Sequence, residues 1–240
     1  MTRLLGAEPL SICEEGLLDL IEGKLQDRES RKKLLLEPVV YRVVHESIEQ
    51  LRNCPEFTDA LRESLEPIVT STILFLARCM DIQEGGAGKR TAYLFNPNAK
   101  ESDLQDDLMD WYKGNLHGDP FIEAQHLGGG RVEIVFPIDG IRFAVELKRE
   151  KSDSSKESLN RYMAQTASYQ STTIPVAMLV VLDLTSRGNL THIRENVWVE
   201  PIRPHLTRGM TWYVIVVRIP GNRVAPSKRR STTTIDPVQN

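Results

Sequence analysis

The sequence predicts an α/β domain preceded by a helical region, and three features carry that prediction. Apolar residues recur at helical spacing between residues 12 and 80, as in Leu17, Leu18, Leu20 and Ile21, then Val39, Val40, Val43 and Val44. Beyond residue 130, apolar and polar residues alternate on both sides of Asp139-Gly140, the dipeptide that suits a two-residue hairpin turn. Residues 176–183 are then an almost unbroken apolar run, the mark of a strand covered on both faces.

Taken in order, the elements follow from local signals. Pro38, Pro55 and Pro67 mark helix starts or breaks in the first region. The Gly-rich segment at 84–90 is a turn or link. It is not a phosphate loop, because that spacing would need glycine at Gln83 and Ser or Thr at Arg90. A helix is expected over 102–116, with Leu104, Leu108, Trp111 and Tyr112 as its apolar stripe. Glu101 is in line with that stripe and points inward, whereas Asp103, Asp106, Asp107 and Asp110 fall on the solvated side. A strand near 121–125, a glycine turn at 128–130, and strands at 132–138 and 141–149 come next. A polar loop leads to a helix at 159–170, followed by strands at 176–183 and 212–219. The order is helix, three strands, helix, strand. Residues 1–90 form a helical region, 91–221 the α/β domain, and 222–240 a polar, basic tail expected to be disordered.

Composition narrows the functional classes. The chain has 240 residues, enough for a sizeable core, and no apolar stretch of membrane-spanning length. Cys13, Cys54 and Cys79 are widely spaced and give neither a disulfide framework nor a zinc motif, which suits a reducing, cytoplasmic setting without a leader segment. The five histidines show no metal-ligand spacing, and neither GxSxG nor HExxH occurs. Net charge is −3, unevenly spread: residues 1–120 hold 14 Lys/Arg against 22 Asp/Glu, and residues 121–240 hold 16 against 11. A polyanion is therefore drawn to the C-terminal half.

The hairpin carries the chemistry. A two-residue turn at Asp139-Gly140 sets Ile138 opposite Ile141, Phe136 opposite Phe143 and Ile134 opposite Val145. Glu133 then faces Glu146, and Arg131 faces Lys148. One face is wholly apolar and belongs to the core. The other concentrates its charge at the end away from the turn. Two carboxylates directly opposite repel, by roughly 0.2–1 kcal/mol. A divalent cation between them would relieve that repulsion, and Lys148, two residues from Glu146, reaches the same space.

These residues stand in an order that resembles the PD-(D/E)XK nuclease superfamily, and its RecB-like branch in particular. Gly130-Arg131-Val132-Glu133 is similar to the family's second-strand motif, Glu146-Leu147-Lys148 to its E-x-K, and Gln165-Thr166-Ala167-Ser168-Tyr169 to the Q-x-x-x-Y helix of the branch. The resemblance covers about 85 residues and does not extend to residues 1–90. It implies a restriction-endonuclease-like αβββαβ core with a mixed central sheet. It also implies hydrolysis of phosphodiester bonds, in DNA before RNA, with Mg2+ or Mn2+. Glu133 and Glu146, assisted by Glu101, would hold the metal; Lys148 would position the attacking water; Gln165 and Tyr169 would orient substrate or site. Arg131, Arg149, Lys151 and Lys156 are the expected phosphate contacts. A role in prokaryotic defence or repair suits such an activity. The family usually has aspartate at the position of Glu133, so the competing expectation is a non-catalytic protein- or nucleic-acid-binding module on the same fold. In either case the helical N-terminal region offers a surface for a protein partner, a homo-oligomer is compatible with the sequence, and no membrane association is expected.

Overall fold

The computed structural model describes residues 37–84, 88–116, 126–127, 130–131, 134–138, 140–168, 174–185, 191–203 and 211–223. The helices expected before residue 37, the strand at 121–125, Glu133, Tyr169 and the tail from 224 lie outside the described residues. The chain divides into two units, Met1–Arg42 and Val43–Asn240. In the first, only the opening of helix α1 (Pro38–Leu51) is described, and its proline stands at the helix start as predicted.

In the second unit, helix α2 (Asp59–Asp81) begins at Thr58, whose side chain accepts from the Leu61 N–H. Pro67 lies inside this helix and does not break it, contrary to the sequence expectation. The proline is exposed, so water can serve the carbonyl one turn earlier, while Leu61, Leu65, Ile68, Val69, Ile73 and Leu76 bury the opposite side. Helix α3 (Glu101–Asn115) is joined to α2 by polar contacts within the interface. The Tyr112 and Thr72 hydroxyls are 2.6 Å apart, and the Trp111 indole N–H donates to the Ser71 carbonyl at 2.8 Å. Asp107 corrects the reading of the α3 acids: it is buried, not solvated. Arg78 from α2 reaches its Oδ1 at 3.2 Å, and the Tyr93 hydroxyl donates to its Oδ2 at 3.0 Å. Helical phase alone cannot reveal a counter-ion that arrives from another helix.

Beyond α3, His126–Leu127 (β1) and Gly130–Arg131 (β2) form a short antiparallel ladder. The main sheet contains β3 (Ile134–Ile138), β4 (Ile141–Glu150), β5 (Val176–Asp183), β6 (Val197–Ile202) and β7 (Trp212–Pro220), in the order β3-β4-β5-β7-β6. It is mixed: β4/β5 and β5/β7 pair in parallel, while β3/β4 and β6/β7 pair antiparallel. The hairpin register is the one the turn predicts, with Ile134 opposite Val145 and Phe136 opposite Phe143. Gly140 has φ +81°, the left-handed conformation that such a turn requires. Helix α4 (Lys156–Ser168) connects β4 to its parallel neighbour β5.

Strand alternation assigns the two faces. On one, Leu159 and Met163 of α4 pack with Leu179, Val181, Trp198, Val214 and Val216. On the other, α3 lies against β4, with the Tyr112 ring edge-on to Phe136 at 5.0 Å, and α2 lies against β7. Strand β6 was not predicted, because Glu200 and Pro201 interrupt its apolar pattern. As the outermost strand of the sheet it tolerates both. At the end of β7, the Gly221 N–H donates to the Asp183 carbonyl at 2.8 Å. A Cβ there would lie 2.8 Å from Leu184 Cδ2 and 3.0 Å from Leu182 Cδ1, so any larger residue would require those leucine side chains to shift. Cys54 and Cys79 are free and buried, with burial pushing their thiols up to about 11 and about 12.

Candidate functional site

Strand β4 leaves its described pairing with β3 at Val145 and continues for five residues alongside β5. Glu146, Lys148 and Glu150 therefore project from this extension on one face, the face that α4 covers. Glu146 has no solvent exposure, and its Oε2 is shielded as well. The Lys148 ammonium donates to Glu146 Oε1, and the lysine side chain retains 17% exposure. The pair thus has a buried carboxylate below and an ammonium at the solvent boundary. Glu101, the first residue of α3, joins them at the strand margin, where its Oε2 accepts from the Arg149 N–H at 3.1 Å. The inward direction expected for Glu101 is thus toward β4.

Glu146 and Lys148 share one face of β4, and Glu101 reaches the backbone of the same strand at Arg149 from α3, the helix on the other face. Gln165 is exposed on α4. Glu133 and Tyr169 lie outside the described residues, and of Arg131 only the backbone is described. Of the expected phosphate contacts, Arg149 Nη1 donates to the Ala99 carbonyl at 3.0 Å, Lys151 Nζ donates to Asn98 Oδ1 at 3.4 Å, and Lys156 Nζ lies 5.1 Å from the centre of the Trp198 ring; all three residues are exposed. Among the described residues, no group of three or more His, Cys, Asp or Glu is arranged to hold a metal ion. The two carboxylates present, Glu101 and Glu146, are all-oxygen donors of the kind that magnesium or manganese takes, so their chemistry fits such an ion.

Sequence reasoning missed a second polar cluster on the same face. Glu150 and Asp183 are neighbours in the β4/β5 ladder, and both are buried. Two adjacent acids repel unless each has its own donors. Glu150 Oε1 accepts from the N–H groups of Lys151 (2.9 Å), Ser152 (2.8 Å) and Asp153 (3.3 Å). Its Oε2 accepts from Arg161 and from the Tyr162 hydroxyl. Asp183 accepts from the hydroxyls of Ser154 and Thr185, with Arg218 Nε 3.9 Å away. Arg218, 6% exposed, also donates to Asn196 Oδ1 (3.0 Å) and to the carbonyls of Ser154 (2.9 Å) and Glu195 (3.1 Å). Two signals were available: Glu150 is in phase with Glu146 and Lys148, and Arg218 is the one charge in an otherwise apolar strand.

Burial by itself pushes the Glu150 carboxyl up, but the donors from Ser152, Asp153 and Tyr162 outweigh it and bring the pKa from 4.5 down to about 2. A carboxyl with a lowered folded-state pKa adds stability above its unfolded value, and that contribution disappears as pH falls from 4.5 toward about 2. The stability advantage of the wild-type chain over Glu150→Gln should therefore be full near pH ~6 and smaller near pH ~3. Thermal melts of both proteins across that range measure it; an advantage that grows on acidification contradicts the assignment.

No protein-family model matches the chain, and neither a curated protein nor a solved structure matches it significantly.

Proposed function

We propose that the chain is a metal-dependent nuclease that hydrolyses phosphodiester bonds in DNA, on a restriction-endonuclease-like core. The observation that carries this reading is the Glu146–Lys148 pair on the part of β4 that is laddered to β5, with the Glu101 carboxylate at the adjoining backbone N–H. The mixed sheet, with an antiparallel hairpin followed by a helical connection to a parallel strand, supports it.

Glu146 and Glu101, with Glu133, would hold Mg2+ or Mn2+, which when bound supplies an activated water and charge neutralisation at the phosphate. Lys148 stands at the solvent boundary, where its ammonium can orient that water or stabilise charge developing on a phosphate oxygen. The sheet beneath fixes both groups: Glu146 is level with Leu179, and Lys148 with Val181. Gln165, exposed on α4, and Tyr169 would orient the substrate. A role in defence or repair suits this chemistry.

The test is incubation of the purified chain with plasmid and single-stranded DNA, with Mg2+ or Mn2+ and with EDTA. Cleavage is expected with metal and none with EDTA. Intact DNA under both conditions rejects the enzyme reading.

The complete burial of Glu146 against Lys148 favours a second reading, a non-catalytic binding module on the same fold. Calorimetry with magnesium and manganese separates the two. Metal binding at a single site agrees with the nuclease, and its absence agrees with the module.

A further inference from the structure

We propose that Arg161 is a phosphate-binding residue for the DNA strand that enters the site, and that Glu150 is the residue that positions it. The inference rests on the nuclease reading for its substrate class, but its geometry is independent of metal.

Four observations carry it. First, Arg149 and Lys151 are turned toward Ala99 and Asn98 in the segment before α3, so they do not address the face that holds Glu146 and Lys148. Second, Arg161 does address it. Its guanidinium meets Oε2 of Glu150, the next residue in phase on that face, about 13 Å along the strand from Glu146 at ~3.3 Å per residue. That is the span of a few nucleotides at ~3.4 Å each.

Third, the arginine is held without being buried. Its side chain keeps 53% exposure, its carbon Cζ lies 4.7 Å from the centre of the Tyr162 ring, and one terminal nitrogen, Nη2, makes its described hydrogen bonds. A guanidinium fixed at one edge and over one face has less side-chain freedom to lose on meeting a phosphate, and it keeps donors for bidentate contact. Fourth, the anchor is itself fixed. Three successive backbone N–H groups hold Glu150 Oε1, so Oε2 stays directed at Arg161 and Tyr162. Glu157, exposed one turn earlier on α4, offsets part of the local charge. Recognition therefore depends on the oriented fork rather than on net positive charge.

The experiment is fluorescence anisotropy with labelled single-stranded and duplex DNA, in EDTA, over a series of NaCl concentrations, with thermal melts to confirm folding. Arg161→Gln removes the charge while leaving an N–H donor for Glu150. It should weaken binding about tenfold and reduce the slope of log K against log salt by about 1. Glu150→Gln leaves the arginine charged but unanchored, so affinity should fall about threefold with little change in slope. Lys113→Ala, on the solvent side of α3, should change neither. An unchanged affinity and slope in folded Arg161→Gln overturns the proposal, as does a wild-type chain that binds no DNA. Wild-type DNA binding that depends on Arg161, with no cleavage in Mg2+ or Mn2+, leaves the proposal standing and rejects the nuclease reading alone.

Discussion

Glu146→Gln should lower metal-dependent DNA cleavage by about 100–1,000-fold while leaving the melting temperature close to that of the wild-type chain. The choice of glutamine is dictated by burial. Glu146 is inaccessible to solvent and receives the Lys148 ammonium, so alanine would remove the carboxylate from a buried pair and cost about 3–5 kcal/mol in stability. Loss of activity in that variant would then be hard to separate from loss of fold. The amide keeps the shape and an oxygen for Lys148, but it carries no charge for a divalent cation. Lys148→Gln is the companion variant, since its amide can still donate to the buried Glu146: it should also abolish cleavage, yet retain metal binding by calorimetry, because the carboxylates remain. Cleavage that persists in Glu146→Gln with full dependence on metal would place the active centre elsewhere.

The largest expected effect on stability belongs to a residue outside that site. Arg218→Ala should lower the melting temperature by on the order of 10 °C. Removing one partner of a buried charge network costs about 3–5 kcal/mol, and each kcal/mol shifts a domain of this size by roughly 2–4 °C. The buried guanidinium serves Asn196, two carbonyls and the nearby Asp183, and its Cζ lies 6.0 Å from the centre of the Trp198 ring. Without it, the Asp183 carboxylate remains in the interior with the Ser154 and Thr185 hydroxyls and the Thr185 N–H as its neutral donors, and no nearby guanidinium. Differential scanning calorimetry measures the change. Adding Asp183→Asn to Arg218→Ala should restore part of the loss, since the uncompensated charge disappears. A shift below about 2 °C for Arg218→Ala would show that the network contributes little.

What could be read from the sequence was local. The Asp139-Gly140 turn and the alternation beside it were enough to derive the pairing of β3 with β4 and the buried face of the hairpin. Glu146 and Lys148 are two residues apart on one strand, so their proximity followed from alternation alone. Glu101 is more distant in sequence; helical phase put it in line with Leu104 and Leu108, and its half-buried carboxylate accepts from the Arg149 N–H of β4. The failures concern contacts made between elements. Asp107 looked like one more solvated acid on α3, because Arg78 comes from a different helix. Glu150, Asp183 and Arg218 occupy three strands and become neighbours only when β4, β5 and β7 pair. Strand β6 was hidden by a glutamate and a proline that an outermost strand tolerates.

The double pairing of β4 has a mechanical consequence. Its first half is registered against β3 by a tight turn, and its second half against β5 by a parallel ladder that continues to Glu150 and Asp183. Sliding the strand by a single residue would break both alignments together, carry Phe143, Val145 and Leu147 to the α4 face and drive Glu146, Lys148 and Glu150 into the apolar face under α3. Glu146 and Lys148 consequently ride on a stationary rail. Adjustment to an arriving ligand falls to the parts that flank it: the first turn of α3, where Glu101 reaches across by a single hydrogen bond, and the side chains of α4.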